Sequence, residues 1–343
     1  MHRPQTTKPL VSVVCAWYNR AAYLRDTLDS LLSQTYENFE IVLVNDGSTD
    51  PAVATILAEY AASNPNLRVI TQKNQGFVIA IRNAIEQSTG DYIAVQGAGD
   101  VSMPERLARQ VFVLEENPNL CGVACRRYRV TVGGPANGSK STSPEVPETV
   151  DLDYLMTREN PISHGEVMYR RAAYFSVGGY RPFFRFAQDI DLFIRMATLG
   201  SFKVLSDILY ERRVFFDDGI ANNRNKIVLQ RALHEFARQC ARDRSDFGDD
   251  MLDSYGPAGA LLAGRVRKPV SRFLAIISIQ YLALGHLMAA DRFSKMAFEQ
   301  AAGFHAVAAR ALLAISMVSP LGRRLIESLL KLHPKYEAWS EKS

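Results

Sequence analysis

The chain has 343 residues, enough for one large α/β domain plus a smaller appendage with no shortage of core burial. Apolar residues make up 47% and charged residues 22%, which excludes wholesale disorder, and a net charge of +4 gives no case for nucleic acid as a partner. Four cysteines (Cys15, Cys121, Cys125 and Cys240) form neither metal-ligand pairs nor a disulfide framework, so buried reduced thiols and a cytoplasmic location are expected. Residues 1–9 are polar and lack the apolar run of a signal peptide.

Residues 10–16 are apolar and β-branched, as in a parallel strand buried on both faces. Helical spacing follows at Leu24, Leu28, Leu31 and Leu32, and residues 39–44 form a second strand. Asp50 as cap and Pro51 in the first turn start a helix over 51–63. A strand at 67–71, a helix at 76–88 and a strand at 91–95 continue the alternation, so the sheet is largely parallel. A helix at 104–116 and a strand at 120–132 lead into a Gly-, Pro-, Ser- and Thr-rich loop at 133–148. Residues 163–170 predict a strand, 189–199 a helix, and 202–210 the last strand.

From residue 226 the pattern turns helical, which divides the chain into an α/β domain, 1–225, and a helical region, 226–343. Gly256-Pro257, Lys268-Pro269 and Ser319-Pro320 mark helix breaks. The apolar stretch 273–290 is interrupted by Gln280 and His286, and suits a buried bundle helix better than a membrane span. From Gly256 onward twelve Lys and Arg face five Asp and Glu, which fits either an anionic membrane surface or a solvated face. Nothing in the sequence specifies an oligomeric state.

Two acidic segments carry the chemistry. Val44-Asn45-Asp46-Gly47-Ser48-Thr49-Asp50 ends a strand with a carboxylate, where open α/β sheets bind ligands. Arg185-Phe186-Ala187-Gln188-Asp189-Ile190-Asp191 opens a helix with two carboxylates, one suited to a general base and the other to capping. Around them stand Val11-Ser12-Val13-Val14 leading to Ala16, Tyr18 and Asn19; Leu31-Leu32-Ser33-Gln34-Thr35-Tyr36; Asn74-Gln75-Gly76; and Arg82-Asn83.

In this order and spacing, over about residues 11–221, these segments resemble family 2 glycosyltransferases with the GT-A fold. The resemblance implies an inverting transfer of sugar from a nucleoside-diphosphate sugar to a glycan or lipid-linked hydroxyl, in cell-surface or exopolysaccharide assembly. It implies Asp189 as catalytic base. It implies Ala16, Tyr18, Asn19, Asp46, Gln75, Gly76, Arg82, Asn83, Gln96, Gly97 and Asp100 around the donor, with Asp46 on the base. His164, Gln188 and Arg212 fall on the acceptor or phosphate side.

The departure lies at Val95-Gln96-Gly97-Ala98-Gly99-Asp100. Pro104-Glu105-Arg106-Leu107 sets the register, so Gly97 and Gly99 stand where the family has the carboxylates that meet ribose and a divalent cation. Glycine offers no side-chain oxygen, and only Asp100 remains as a metal ligand. After Leu209-Tyr210-Glu211-Arg212 the family's metal-side His is also missing. Weak metal binding, Asp100 acting with waters, and no metal at all are the alternatives. Arg212, Arg213, Arg126, Arg127 or Arg129 is then expected to neutralise the diphosphate, with Asp217 or Asp218 as a substitute ligand in the other case. A family member that binds nucleotide or glycan without turnover is the alternative function. A dinucleotide-dependent oxidoreductase is excluded by the absence of Gly-x-Gly-x-x-Gly in the first βα turn.

Overall fold

The structure is a computed structural model that describes residues 8–216, 224–263 and 268–332. The chain divides into two compact units at residues 217–218. The first unit runs β1 (Val11–Trp17), α1 (Ala21–Leu32), β2 (Phe39–Asp46), α2 (Pro51–Ser63), β3 (Leu67–Gln72), α3 (Phe77–Glu86), β4 (Tyr92–Gln96), β5 (Val101–Ser102) and α4 (Arg106–Glu116). It continues with β6 (Leu120–Val132), β7 (Lys140–Thr142), β8 (Thr149–Val150), α5 (Leu152–Thr157), β9 (Met168–Arg170), α6 (Arg171–Ser176), α7 (Gln188–Met196) and β10 (Ser201–Phe215).

The strands form one sheet in the order β3-β2-β1-β4-β9-β6-β10-β5, with β7 on β6 and β8 on β10. The four strands from β3 to β4 are parallel, and so are β6 and β10. β9 runs against both of its neighbours and joins the two parallel blocks. Every residue of β1 is buried, as its unbroken apolar sequence requires. One sheet face packs on Leu24, Leu28 and Leu31 of α1 and Leu107, Val111 and Leu114 of α4. Each of these leucines contributes roughly 1.5–3 kcal/mol by leaving water. α3 also packs on β1 and β2, turning inward Ala80, Ile81, Ala84 and Ile85. Asp50 caps α2, accepting from the Ala52 amide at 2.9 Å, with Pro51 in the first turn.

Three local expectations change. The segment at 163–170 splits into a 3-10 turn, His164–Glu166, and the short β9, because Ser163 and Glu166 form a reciprocal capping box. The loop at 133–148 contains β7, which folds back antiparallel on β6. β10 continues to Phe215, because residues 211–215 stay in register with 128–132 of β6.

The second unit contains α8 (Arg224–Phe247), α9 (Met251–Tyr255), α10 (Gly259–Leu262), α11 (Lys268–Ala283), α12 (Leu287–Gln300), α13 (Phe304–Val318) and α14 (Pro320–Lys331). The apolar stretch around residue 280 is broken between α11 and α12, where Gly285 takes φ 80°. Among the described residues, no helix is long and apolar enough to cross a membrane. Small residues bring α11 close to α12: Ser278 Oγ donates to the Ala290 carbonyl at 2.7 Å, and Ser271 Oγ to the Ala297 carbonyl at 2.8 Å.

Candidate functional site

The parallel block places the carboxyl ends of β1 to β4 along one edge. Asp46, the last residue of β2, is beside Gln72, the last of β3. Asp46 is 2% exposed, and its charge is satisfied from within. Oδ1 accepts from Gln72 Nε2 at 2.8 Å and from the Gln75 amide at 2.9 Å, and Oδ2 accepts from the Gly76 amide at 2.9 Å. A carboxylate has about four acceptor sites, so one remains on Oδ2. Gly76 holds φ 85° with open space around its α-carbon, so its backbone conformation, and not crowding, calls for glycine. Asn83 Nδ2 donates to Gln72 Oε1 at 2.7 Å, completing a chain from α3 through β3 to β2.

Gln72 is absent from the sequence-derived set, and its place as the terminal residue of β3 is the signal that would have found it. Arg82, in contrast, makes an i,i+4 pair with Glu86 at 3.5 Å on the exposed side of α3.

The loop after β1 is braced by Asn19. Its amide donates to Ser48 Oγ at 2.9 Å, and its Oδ1 accepts from the Thr49 amide at 2.9 Å. Asn19 and Arg20 both have positive φ, 55° and 57°. Tyr18 stands out at 46% exposure, next to the buried Ala16 and Trp17.

Gln96 is expected at the donor but turns inward and is fully buried. Its Nε2 donates to the Asp100 carbonyl at 2.9 Å, and its Oε1 accepts from Ser102 Oγ at 2.8 Å and Arg106 Nη1 at 3.1 Å. Its side chain therefore shapes the turn. Asp100 is likewise engaged. Oδ2 accepts from the Tyr210 phenol and Oδ1 from the Arg213 amide, both at 2.8 Å. Burial raises the Asp100 pKa, against those two hydrogen bonds and the charges of Arg212 and Arg20. Tyr210 in turn accepts from the Gly97 amide at 2.9 Å.

A side chain at Gly97 would strike Asp100 Oδ2, 2.2 Å from an added Cβ. One at Gly99, where φ is 92°, would strike the Phe215 ring at 2.8 Å. The space for two further carboxylates is filled. No group of three or more His, Cys, Asp or Glu among the described residues is arranged to hold a metal ion. Among the described residues, the loop offers no open carboxylate for a divalent cation. Asp217 and Asp218 lie outside the described residues.

Asp189 is in the first turn of α7, half-buried, with Oδ1 accepting from the Ile190 amide at 2.9 Å. Its other oxygen has no hydrogen bond among the described residues. Neighbouring Gln188 has a buried Oε1 without a partner. Asp191 does not cap the helix. It is 1% exposed and clasped by Arg181 and Arg195, while Arg195 also bonds the Gly179 carbonyl at 2.8 Å. That clasp fixes α7 against the Gly178-Gly179 turn.

His164 bonds the Tyr180 hydroxyl through Nε2 and meets the Phe77 ring edge to face, with centroids 5.0 Å apart. Burial lowers its pKa to about 4 against the upward pull of Asp189, so at neutral pH the ring is uncharged. Phe77 and Tyr210 carried no site signal in the sequence, because each acts through a contact distant along the chain.

The profile described as Glycosyl transferase family 2 matches residues 12–177. The protein named "Putative glycosyltransferase EpsE" of Bacillus subtilis (strain 168) is 34% identical over 203 residues, 56% of this chain and 68% of that one. Hyaluronan synthase of Pasteurella multocida is 27% identical over 232 residues, 66% of this chain but only 23% of the synthase. Among solved structures, the mannosyltransferase PcManGT from Pyrobaculum calidifontis, in complex with GDP-Man and Mn2+, is 20% identical with a TM-score of 0.57. That alignment covers 98% of this chain and 85% of the mannosyltransferase. The S. aureus TarS 1–349 structure with UDP-GlcNAc is 18% identical with a TM-score of 0.53, over 84% of this chain and 90% of TarS 1–349. Sheet order and these likenesses agree on the GT-A fold, and the chain belongs to glycosyltransferase family 2.

Proposed function

We propose that this glycosyltransferase inverts the anomeric centre as it moves a sugar from a nucleoside-diphosphate donor to a hydroxyl of a glycan or lipid-linked acceptor. The supporting observation is Asp189: one oxygen is fixed by the Ile190 amide, the other is open, and neutral His164 is nearby. Asp189 takes the acceptor's hydroxyl proton while that oxygen bonds to C1 of the sugar. The C1–O bond breaks on the opposite face and its electron pair leaves with the diphosphate.

Asp46, Gln75, Gly76 and Asn83, with Gln72, form the base-recognition edge, and Asp46 keeps one acceptor site for a base N–H. Donor classes seen on similar proteins, GDP-Man and UDP-GlcNAc, support a nucleotide-sugar donor here. A place in surface-polysaccharide assembly is supported by the likeness to hyaluronan synthase. A peripheral membrane contact is supported by α14, where Leu321, Leu325, Leu329 and Leu332 form an exposed row near Arg324 and Lys331.

Binding without turnover is the second reading, favoured by the missing carboxylates at Gly97 and Gly99. Incubation with a panel of nucleotide sugars decides between them. Release of nucleoside diphosphate, lost in Asp189→Asn, supports transfer; donor binding with no release in any combination supports the second reading.

A further inference from the structure

Five arginines on β6 and β10 are candidates to meet a diphosphate, and the sheet register separates them; Arg20 is already committed to the loop, donating to the Ala98 carbonyl at 2.9 Å and lying over the Phe215 ring. From Tyr210 onward β10 and β6 stay in parallel register, pairing Tyr210 with Arg127 and Arg212 with Arg129. Side chains alternate along a strand, so Tyr210, Arg212, Arg127 and Arg129 share one face. That face carries the Tyr210 hydroxyl to Gly97 and Asp100, while the opposite face carries Phe215, whose ring fills the space at Gly99. Arg213 points to the other side, where it pairs with Asp26 at 2.9 Å and covers Tyr23. Arg126 also leaves this face and donates to the Ser143 carbonyl at 3.2 Å.

Of the three on the Tyr210 side, Arg127 is neutralised by buried Glu166. Arg129 and Arg212 are direct cross-strand neighbours, and neither makes a hydrogen bond or ion pair among the described residues. Like charges in that position repel. Both side chains are exposed to solvent; desolvation and the charges of Arg212 and Arg127 lower the Arg129 pKa, while the field of Arg212 reaches Asp100. The cation-binding carboxylates are replaced, and the space they need is filled by Asp100 and Phe215.

We infer that Arg129 and Arg212 form a guanidinium clamp that binds the donor's diphosphate and stabilises it as leaving group, in place of a divalent cation. This rests on the nucleotide-sugar reading above. Two adjacent forks match the oxygens of a diphosphate, and its charge relieves the repulsion between them.

Titration calorimetry with UDP, GDP, CDP and TDP tests it, each run in EDTA and in Mn2+, with the matching nucleosides as controls. At least one diphosphate is expected to bind equally in both buffers. Arg129→Ala and Arg212→Ala should each weaken that binding about tenfold or more and leave nucleoside binding unchanged. Arg212→Lys, which keeps the charge but loses the fork, should fall between wild type and Arg212→Ala, and unchanged melting curves confirm that the variants fold. Binding that needs Mn2+, or alanine variants that bind like wild type, overturns the clamp. No binding of any diphosphate in either buffer instead overturns the donor reading.

Discussion

Phe77 and His164 meet edge to face, their ring centroids 5.0 Å apart and their planes at 79°. The contact joins the two halves of the site. Phe77 follows Gly76, whose amide is held by Asp46, while His164 bonds Tyr180 and feels the charge of Asp189. Such a pair is worth about 0.5–1.5 kcal/mol beyond area burial. Phe77→Ala is expected to lower stability by at least about that much in urea denaturation, since the ring's burial is lost as well, and to reduce kcat more than donor affinity. An unchanged kcat would show that the contact does not align the halves.

His164 also sets a pH dependence. Its ordinary pKa of 6.5 falls to about 4 in the folded chain. Between these values the unfolded chain binds a proton that the folded chain refuses, so stability rises with pH there. The contribution is complete above about pH 6.5 and disappears as pH falls through 4, a loss on the order of 1–3 kcal/mol. His164→Gln should flatten stability between pH 4 and 6.5, as read by urea midpoints at matched ionic strength.

Asp189→Asn removes the base and keeps the shape. Turnover should drop by about 10²- to 10⁴-fold. Donor affinity measured by calorimetry should stay within about twofold of wild type, as expected where a group acts in the transition state alone.

Asp46→Asn places an amide where a carboxylate receives Gln72 and two backbone amides. Charge-assisted bonds of this kind are worth about 1.5–3 kcal/mol, so donor affinity should fall about tenfold or more, with a lower melting temperature. Gln72→Ala should weaken donor binding in the same direction but less, because the backbone bonds to Asp46 remain.

For α14, the exposed leucines give a separate test with vesicles. Leu325→Glu combined with Leu329→Glu should reduce co-sedimentation with anionic vesicles about tenfold or more, and transfer to a soluble acceptor should be unaffected. Equal sedimentation of the double variant and wild type removes the membrane role from this face.

Much of the architecture was readable along the chain, since apolar strands and periodic helices alternate locally. β9 was harder. Its three residues run against both neighbours, and direction depends on partners far away in sequence. The site divides in the same way. Asp46 and Asp189 stand in local patterns of strand end and helix start. The burial of Gln96 was not legible, because it depends on Arg106 and Ser102 closing over it.

By itself, the sequence determined which segments become strands and helices and where the two acidic segments lie. Those are local properties of residue type and spacing. The tertiary structure alone decided that Asp100 turns inward to Tyr210 and the Arg213 amide, and that Arg129 and Arg212 stand side by side. Residues so far apart along the chain meet only when strand register is set, and register follows from packing the whole sheet.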